Sequence, residues 1–176
     1  MGHRFPEVDA FGQEALTAIA VVAMRAANLD DYLIHFMSAV SRLSLYQARA
    51  IFHSSQNSKA RLDMLRALVN SAGYSEARQA HALDLLDQTK ALADKRNEYL
   101  HWQYMVETKG DDPVSYAVMV SYKPAAKKPY HSRRLNAKEI ESTAEAYAEL
   151  RRKLWDFYYD VTAAKALGLP SRGTPD

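Results

Sequence analysis

Apolar residues in the first part of the chain recur at helical spacing. Leu16, Ile19, Ala20, Ala23, Ala27, Leu33, Phe36, Met37 and Val40 mark one face between about Asp9 and Arg42. This stretch holds no proline and one early glycine, which predicts a single long helix with Asn28 as the place for a bend. Ser44 to His53 carries Leu45, Ala48, Ile51 and Phe52 at the same spacing. It stops at the polar run Ser54-Ser55-Gln56-Asn57-Ser58, so a short second helix is expected. Asn57 or Ser58 can cap a third helix through Leu62, Leu65, Leu68 and Val69, and Gly73 suits its left-handed end. Ser75 and Glu76 open a fourth helix running to about Leu100 or His101.

The period then changes. Tyr104, Val106, Tyr116, Val118, Val120 and Tyr122 alternate with other residues around Gly110-Asp111-Asp112-Pro113, which predicts a β-hairpin between Gln103 and Lys123. Pro124 to Arg134, with two prolines, reads as a loop. Asn136, followed by Glu139, is a capping-box variant opening a last helix to about Leu167, and Pro170 stops it. The expected fold class is therefore all-α: a bundle of about five helices with a small β-hairpin inserted before the last long one. Residues 1–170 read as one domain and 171–176 as a flexible tail.

Composition narrows the function classes. The chain has 176 residues, 48% of them hydrophobic, enough for one sizeable core. Its longest strongly apolar stretch, Ala15 to Met24, is far shorter than the roughly 18 to 20 residues of a membrane span. Glu7, Asp9 and Glu14 spoil a secretory leader, so a cytoplasmic protein without membrane contact is expected. The absence of cysteine excludes disulfides, thiolate zinc sites and cysteine nucleophiles. His35, His53 and His81 fall on separate predicted helices without a second ligand at metal spacing, so neither a metal nor another cofactor is expected. No glycine-rich phosphate loop or Gly-x-Ser-x-Gly elbow is present, which sets aside nucleotide and ester hydrolysis. The net charge is only +2, but it is unevenly spread. Val114 to Lys138 contains no acid, while Lys123, Lys127, Lys128, Arg133, Arg134 and Lys138 all lie there, interleaved with Tyr116, Tyr122 and Tyr130. Such a segment suits phosphate contact and base stacking, or is a solvated loop.

The most informative residues are Arg96-Asn97-Glu98-Tyr99-Leu100-His101. A wheel at 100° per residue puts Ala82, Leu85, Leu86, Thr89, Leu92, Ala93, Arg96 and Leu100 on one face, with Arg96 as its charged member. Asp84, Asp87, Asp94 and Glu98 point elsewhere. An unpaired buried guanidinium costs several kcal/mol in order of magnitude, so Arg96 needs either a partner or a wet cleft. Asn97 and His101 are four residues apart, on the edge of the same face, and the long arm of Arg96 can swing toward them. Imidazole exchanges protons near neutral pH, guanidinium grips phosphate through two parallel hydrogen bonds, and an amide can orient either. Together they suit cleavage of a phosphodiester by its adjacent 2′-hydroxyl without metal. The structural alternative pairs Arg96 with an acid from another helix and uses Asn97 and His101 to finish the helix.

Arg96, Asn97 and His101 resemble the Arg-Asn-x-x-x-His signature of HEPN domains, which are compact helical bundles, often dimeric. The resemblance implies a metal-independent endoribonuclease of toxin or defence type, with the signatures of two copies meeting at a homodimer interface. It also makes an antitoxin or other partner protein a candidate binder. His101 would act as general acid or base, Arg96 would stabilise the transition state and Asn97 would orient them. Lys123, Lys127, Lys128, Arg133 and Arg134 would guide RNA. The signature spans six residues, and the helical context covers about two thirds of the chain. The β pattern directly after His101 departs from the family bundle, which continues there as helix, and reads as an insertion. The alternative function is a non-catalytic helical interaction protein of phage or mobile-element accessory type. The aromatic run Trp155, Phe157, Tyr158 and Tyr159 falls on both faces of the last helix, as core plus a dimer seam.

Overall fold

A computed structural model describes residues 13–55, 57–101, 103–108, 115–122, 130–134 and 136–166, with side chains described for 13–55, 57–100, 136–164 and 166. Its helices are α1 (Gln13–Ser41), α2 (Leu45–Ser54), α3 (Ser58–Ser71), α4 (Glu76–His101) and α5 (Ala137–Ala166). Between α4 and α5 lie β1 (Gln103–Thr108), β2 (Ser115–Tyr122) and β3 (Tyr130–Arg134). No helix among the described residues is long and apolar enough to cross a membrane.

The expected all-α class with a two-stranded hairpin is corrected. The strands form a three-stranded antiparallel sheet in the order β1-β2-β3, and part of the expected Pro124–Arg134 loop is its edge strand. Gln103 pairs with Val120 and Thr108 with Ser115, while Tyr122 pairs with Tyr130 and Val118 with Arg134. Tyr-His-Ser-Arg-Arg has no alternation of apolar residues, so β3 left no periodic signal. A proline immediately before an edge strand costs no ladder bond, so Pro129 did not preclude it. The expected tail at 171–176 lies outside the described residues.

Local chemistry sets the helix ends. Ser44 caps α2: its hydroxyl accepts from the Gln47 N–H, and the Gln47 side chain accepts from the Ser44 N–H. Asn57 caps α3 through the Lys59 N–H at 2.8 Å. Past the end of α3, Gly73 adopts φ +68°, a left-handed conformation that glycine enters without a Cβ penalty. Asn136 caps α5 through the Lys138 N–H at 3.1 Å.

The chain divides into two compact units, one from Met1–Arg25 with Asp94–Glu145, the other from Ala26–Ala93 with Ala146–Asp176. In the second unit, Leu33, Phe36 and Met37 of α1, Phe52 of α2, Leu65 of α3, Leu85 and Leu86 of α4, and Leu154 and Phe157 of α5 are buried. Phe157 lies 4.9 Å from Phe36 and meets Tyr74 and His81 edge-on. Arg61 ties the loop before α3 to α1: Nε donates to the Ser55 carbonyl at 2.7 Å and Nη1 pairs with Asp30 at 3.0 Å. In the first unit, Ala15, Ala18 and Val22 of α1 are buried, as are Tyr99 of α4 and Ile140 and Ala144 of α5.

His35, in the second unit, lies edge-on to Trp155 and Tyr158 at 5.1 and 5.0 Å, and its buried Nδ1 has no hydrogen-bond partner among the described residues. Burial lowers its proton affinity, and Arg49 adds to that, whereas Asp31 opposes it. The unfolded chain therefore binds this proton more tightly than the folded one. Stability contributed by neutral His35 is complete above the ordinary imidazole value near 6.5 and falls as the pH drops below it. Thermal scans between pH 7.5 and roughly pH 5 should show a smaller acid-side loss of Tm for His35→Phe than for the wild type; equal losses would contradict this assignment.

Candidate functional site

The candidate site lies at the end of α4. Going toward it, Arg78, Ala82, Leu85, Thr89 and Leu92 are buried, and the same alternation of four and three residues continues to Arg96 and Tyr99. Two corrections to the helical wheel follow. Tyr99, 1% exposed, belongs to the buried stripe, and Arg78, 9% exposed, is a second cation in it. Arg78 lies over the Tyr74 ring at 5.9 Å, while Thr89 spends its proton on the Leu85 carbonyl at 2.8 Å.

Arg96 is half-buried, and its Nη1 donates to Asn97 Oδ1 at 3.0 Å. Its Nε is buried and has no acceptor among the described residues, where no carboxylate pairs with Arg96 either. Asn97 itself is exposed. The backbone remains helical through His101, whose side chain lies outside those described. The arginine is thus braced by the amide beside it and keeps an unspent donor.

Tyr99, inside the signature, anchors this turn. Thr143 Oγ1 donates to the Glu139 carbonyl at 3.0 Å and lies 3.1 Å from Tyr99 Oη. A hydroxyl has one proton, so the tyrosine must donate to the threonine. This buried link fixes the end of α4 against the start of α5. The sequence contains both residues but gives no sign that they meet, being 44 positions apart.

The basic segment is only partly visible. Lys123, Lys127 and Lys128 lie outside the described residues. Arg133 pairs with Met119 and Arg134 with Val118 on the edge strand β3. A groove of about 400 Å³ in the same unit is lined by Glu14, Thr17, Val21, Arg25, Glu141 and Glu145. Arg25 donates to the Ala144 carbonyl at 2.6 Å, and the three carboxylates make the groove unsuited to phosphate. Among the described residues no group of three metal-ligating side chains comes together. Compared with protein-family models, curated proteins and solved structures, the chain matches none of them.

Proposed function

We propose that the chain is a HEPN-like endoribonuclease of toxin or defence type that acts as a homodimer in the cytoplasm. The observation that carries this reading is Arg96: half-buried, braced by Asn97, and holding a buried N–H without an acceptor among the described residues. A buried donor without an acceptor costs about 1–3 kcal/mol, a cost that a ligand bound at Arg96 would remove. An arginine kept for a phosphate is completed by its ligand. His101, one turn beyond Asn97, would move the proton of the attacking 2′-hydroxyl or of the leaving 5′-oxygen. Arg96 would hold the charge that accumulates on the phosphorus oxygens. Asn97 would keep the guanidinium plane in place, and Tyr99 would hold the turn that carries all three. These side chains suffice for acid–base cleavage, so the reading requires no metal.

The test is cleavage in EDTA of an RNA pool beside the matching DNA pool. RNA should be cut to products ending in 2′,3′-cyclic phosphate while DNA stays intact; cutting of both would contradict attack by the 2′-hydroxyl. In this reading Lys127 and Lys128, with Lys123, Arg133 and Arg134, contact the strand through its phosphates. The log of the association constant should fall with log salt by about 0.7 per contact, so Lys127→Ala with Lys128→Ala should reduce that slope by about 1.4. An unchanged slope would remove those two lysines from the interface.

A further inference from the structure

Two residues of the second unit have left-handed backbone: Gly73 at φ +68°, past the end of α3, and Arg42 at φ +61°, past the end of α1. Glycine enters that conformation freely, whereas in an arginine the Cβ crowds the following carbonyl. The neighbours of Arg42 impose the strain. Ser41 Oγ accepts from the Leu43 N–H at 3.4 Å and donates to the Met37 carbonyl at 2.6 Å, and Ser38 Oγ donates to the Leu43 carbonyl at 2.8 Å. The Arg42 side chain takes no part in this. It is exposed, and among the described residues it makes no hydrogen bond or ion pair. A strained position that keeps a long charged side chain where glycine would fit better points to a use for that side chain.

A second cation and a hydroxyl lie nearby. Arg78, 9% exposed, stands over the Tyr74 ring at 5.9 Å. Burial raises the proton affinity of the Tyr74 hydroxyl, while Arg78 and Arg42 both lower it, so both guanidinium groups are within electrostatic reach of that oxygen. Among the described residues no carboxylate acts on it. Tyr74 Oη donates to the Ala39 carbonyl at 3.5 Å, the long limit of a hydrogen bond, so its proton is weakly committed. Next to Tyr74, the side of Gly73 where a Cβ would stand is open space, with no atom within 4 Å.

We propose that Arg42, Arg78 and Tyr74 form a binding site for a phosphate group, either the free ion or a phosphate monoester. At neutral pH a monoester carries a charge of about −1.5 to −2 and three strong acceptor oxygens, which match two guanidinium groups and one hydroxyl. Arg78 supplies the buried, fixed cation and Arg42 the exposed, adjustable one. The competing role for Arg42 is to face the last carbonyls of α1, whose partial negative charge favours a cation there, and that role needs no ligand. Arg96 belongs to the other unit, so the inference does not rest on RNA cleavage.

Thermal unfolding of the full chain in a phosphate titration, against sodium chloride of equal ionic strength, tests it. Phosphate at a tenfold excess over its Kd should raise the wild-type Tm by about 3–6 °C. Without phosphate, Arg42→Gly should unfold at the wild-type temperature or above it, because glycine relieves the strain. The same variant should bind phosphate at least about tenfold more weakly, through loss of a charge-assisted hydrogen bond. Tyr74→Phe keeps the ring and loses only the hydroxyl, which should weaken binding by about two- to tenfold. Glycerol 3-phosphate separates the two sources: tighter binding than phosphate assigns the site to a monoester, equal or weaker binding to the free ion. No gain in the wild type, or an equal gain in Arg42→Gly, which would be a general salt effect, overturns the proposal. So does a ligand-free Arg42→Gly that unfolds well below the wild type, since the guanidinium would then serve the end of α1.

Discussion

Phe36→Ala should destabilise the protein by about 3–5 kcal/mol, the largest loss expected from a single substitution here. Phe36 has no exposed surface, and its ring lies 4.9 Å from that of Phe157, tilted by 30°. Phe157 is in turn contacted edge-on by Tyr74 and His81, at 6.2 and 5.8 Å. Removing the ring of Phe36 leaves a space bounded by groups that are themselves held from other sides, so the site cannot collapse to fill it. The cost is then the lost transfer free energy plus the cavity term. Tyr46, 85% exposed on α2, provides the control: Tyr46→Ala should change stability by no more than about 0.5 kcal/mol. Urea unfolding at 25 °C measures both. Similar midpoints for the two variants would show that the Phe36–Phe157 contact is not the centre of that core.

Much of the helical scaffold is legible along the chain because its causes are local. Ser44 with Gln47, Asn57 and Gly73 fix helix ends within a few residues, and each does so through its own side chain or its own φ. The end of α4 shows where local reading stops. Tyr99 is buried with its hydroxyl satisfied by Thr143, a pairing that only the folded chain creates. Arg78 sits in the buried stripe with Tyr74 beside it, again a neighbour supplied by folding. Edge strand β3 is set by pairing with β2 and not by its own alternation. In the candidate site, residue types and order are visible in Arg96, Asn97 and His101. The brace from Asn97 and the unspent Nε of Arg96 are properties of the fold.

That unspent donor separates two roles for Arg96. If the residue serves the fold, Arg96→Met should lower stability. If it serves a phosphate, the same change should leave stability unchanged or raise it by about 1 kcal/mol, because the methionine fills the half-buried space without an unsatisfied buried donor. The second outcome is expected, together with a loss of at least about 100-fold in RNA cleavage, the scale for removing one transition-state donor. Arg96→Lys should not rescue the rate, since an ammonium keeps the charge but loses the planar fork that Asn97 braces. His101→Ala should cost about 10²–10⁴-fold, the usual range for a general acid or base.

The most direct measurement is the rate of RNA cleavage in EDTA by the wild type, Arg96→Met and His101→Ala, each shown to be folded by its unfolding transition. The expected result is cutting by the wild type that is lost in both folded variants. Equal rates in all three, or a wild type that leaves every RNA in the pool intact, would contradict an RNA-cleaving site at the end of α4.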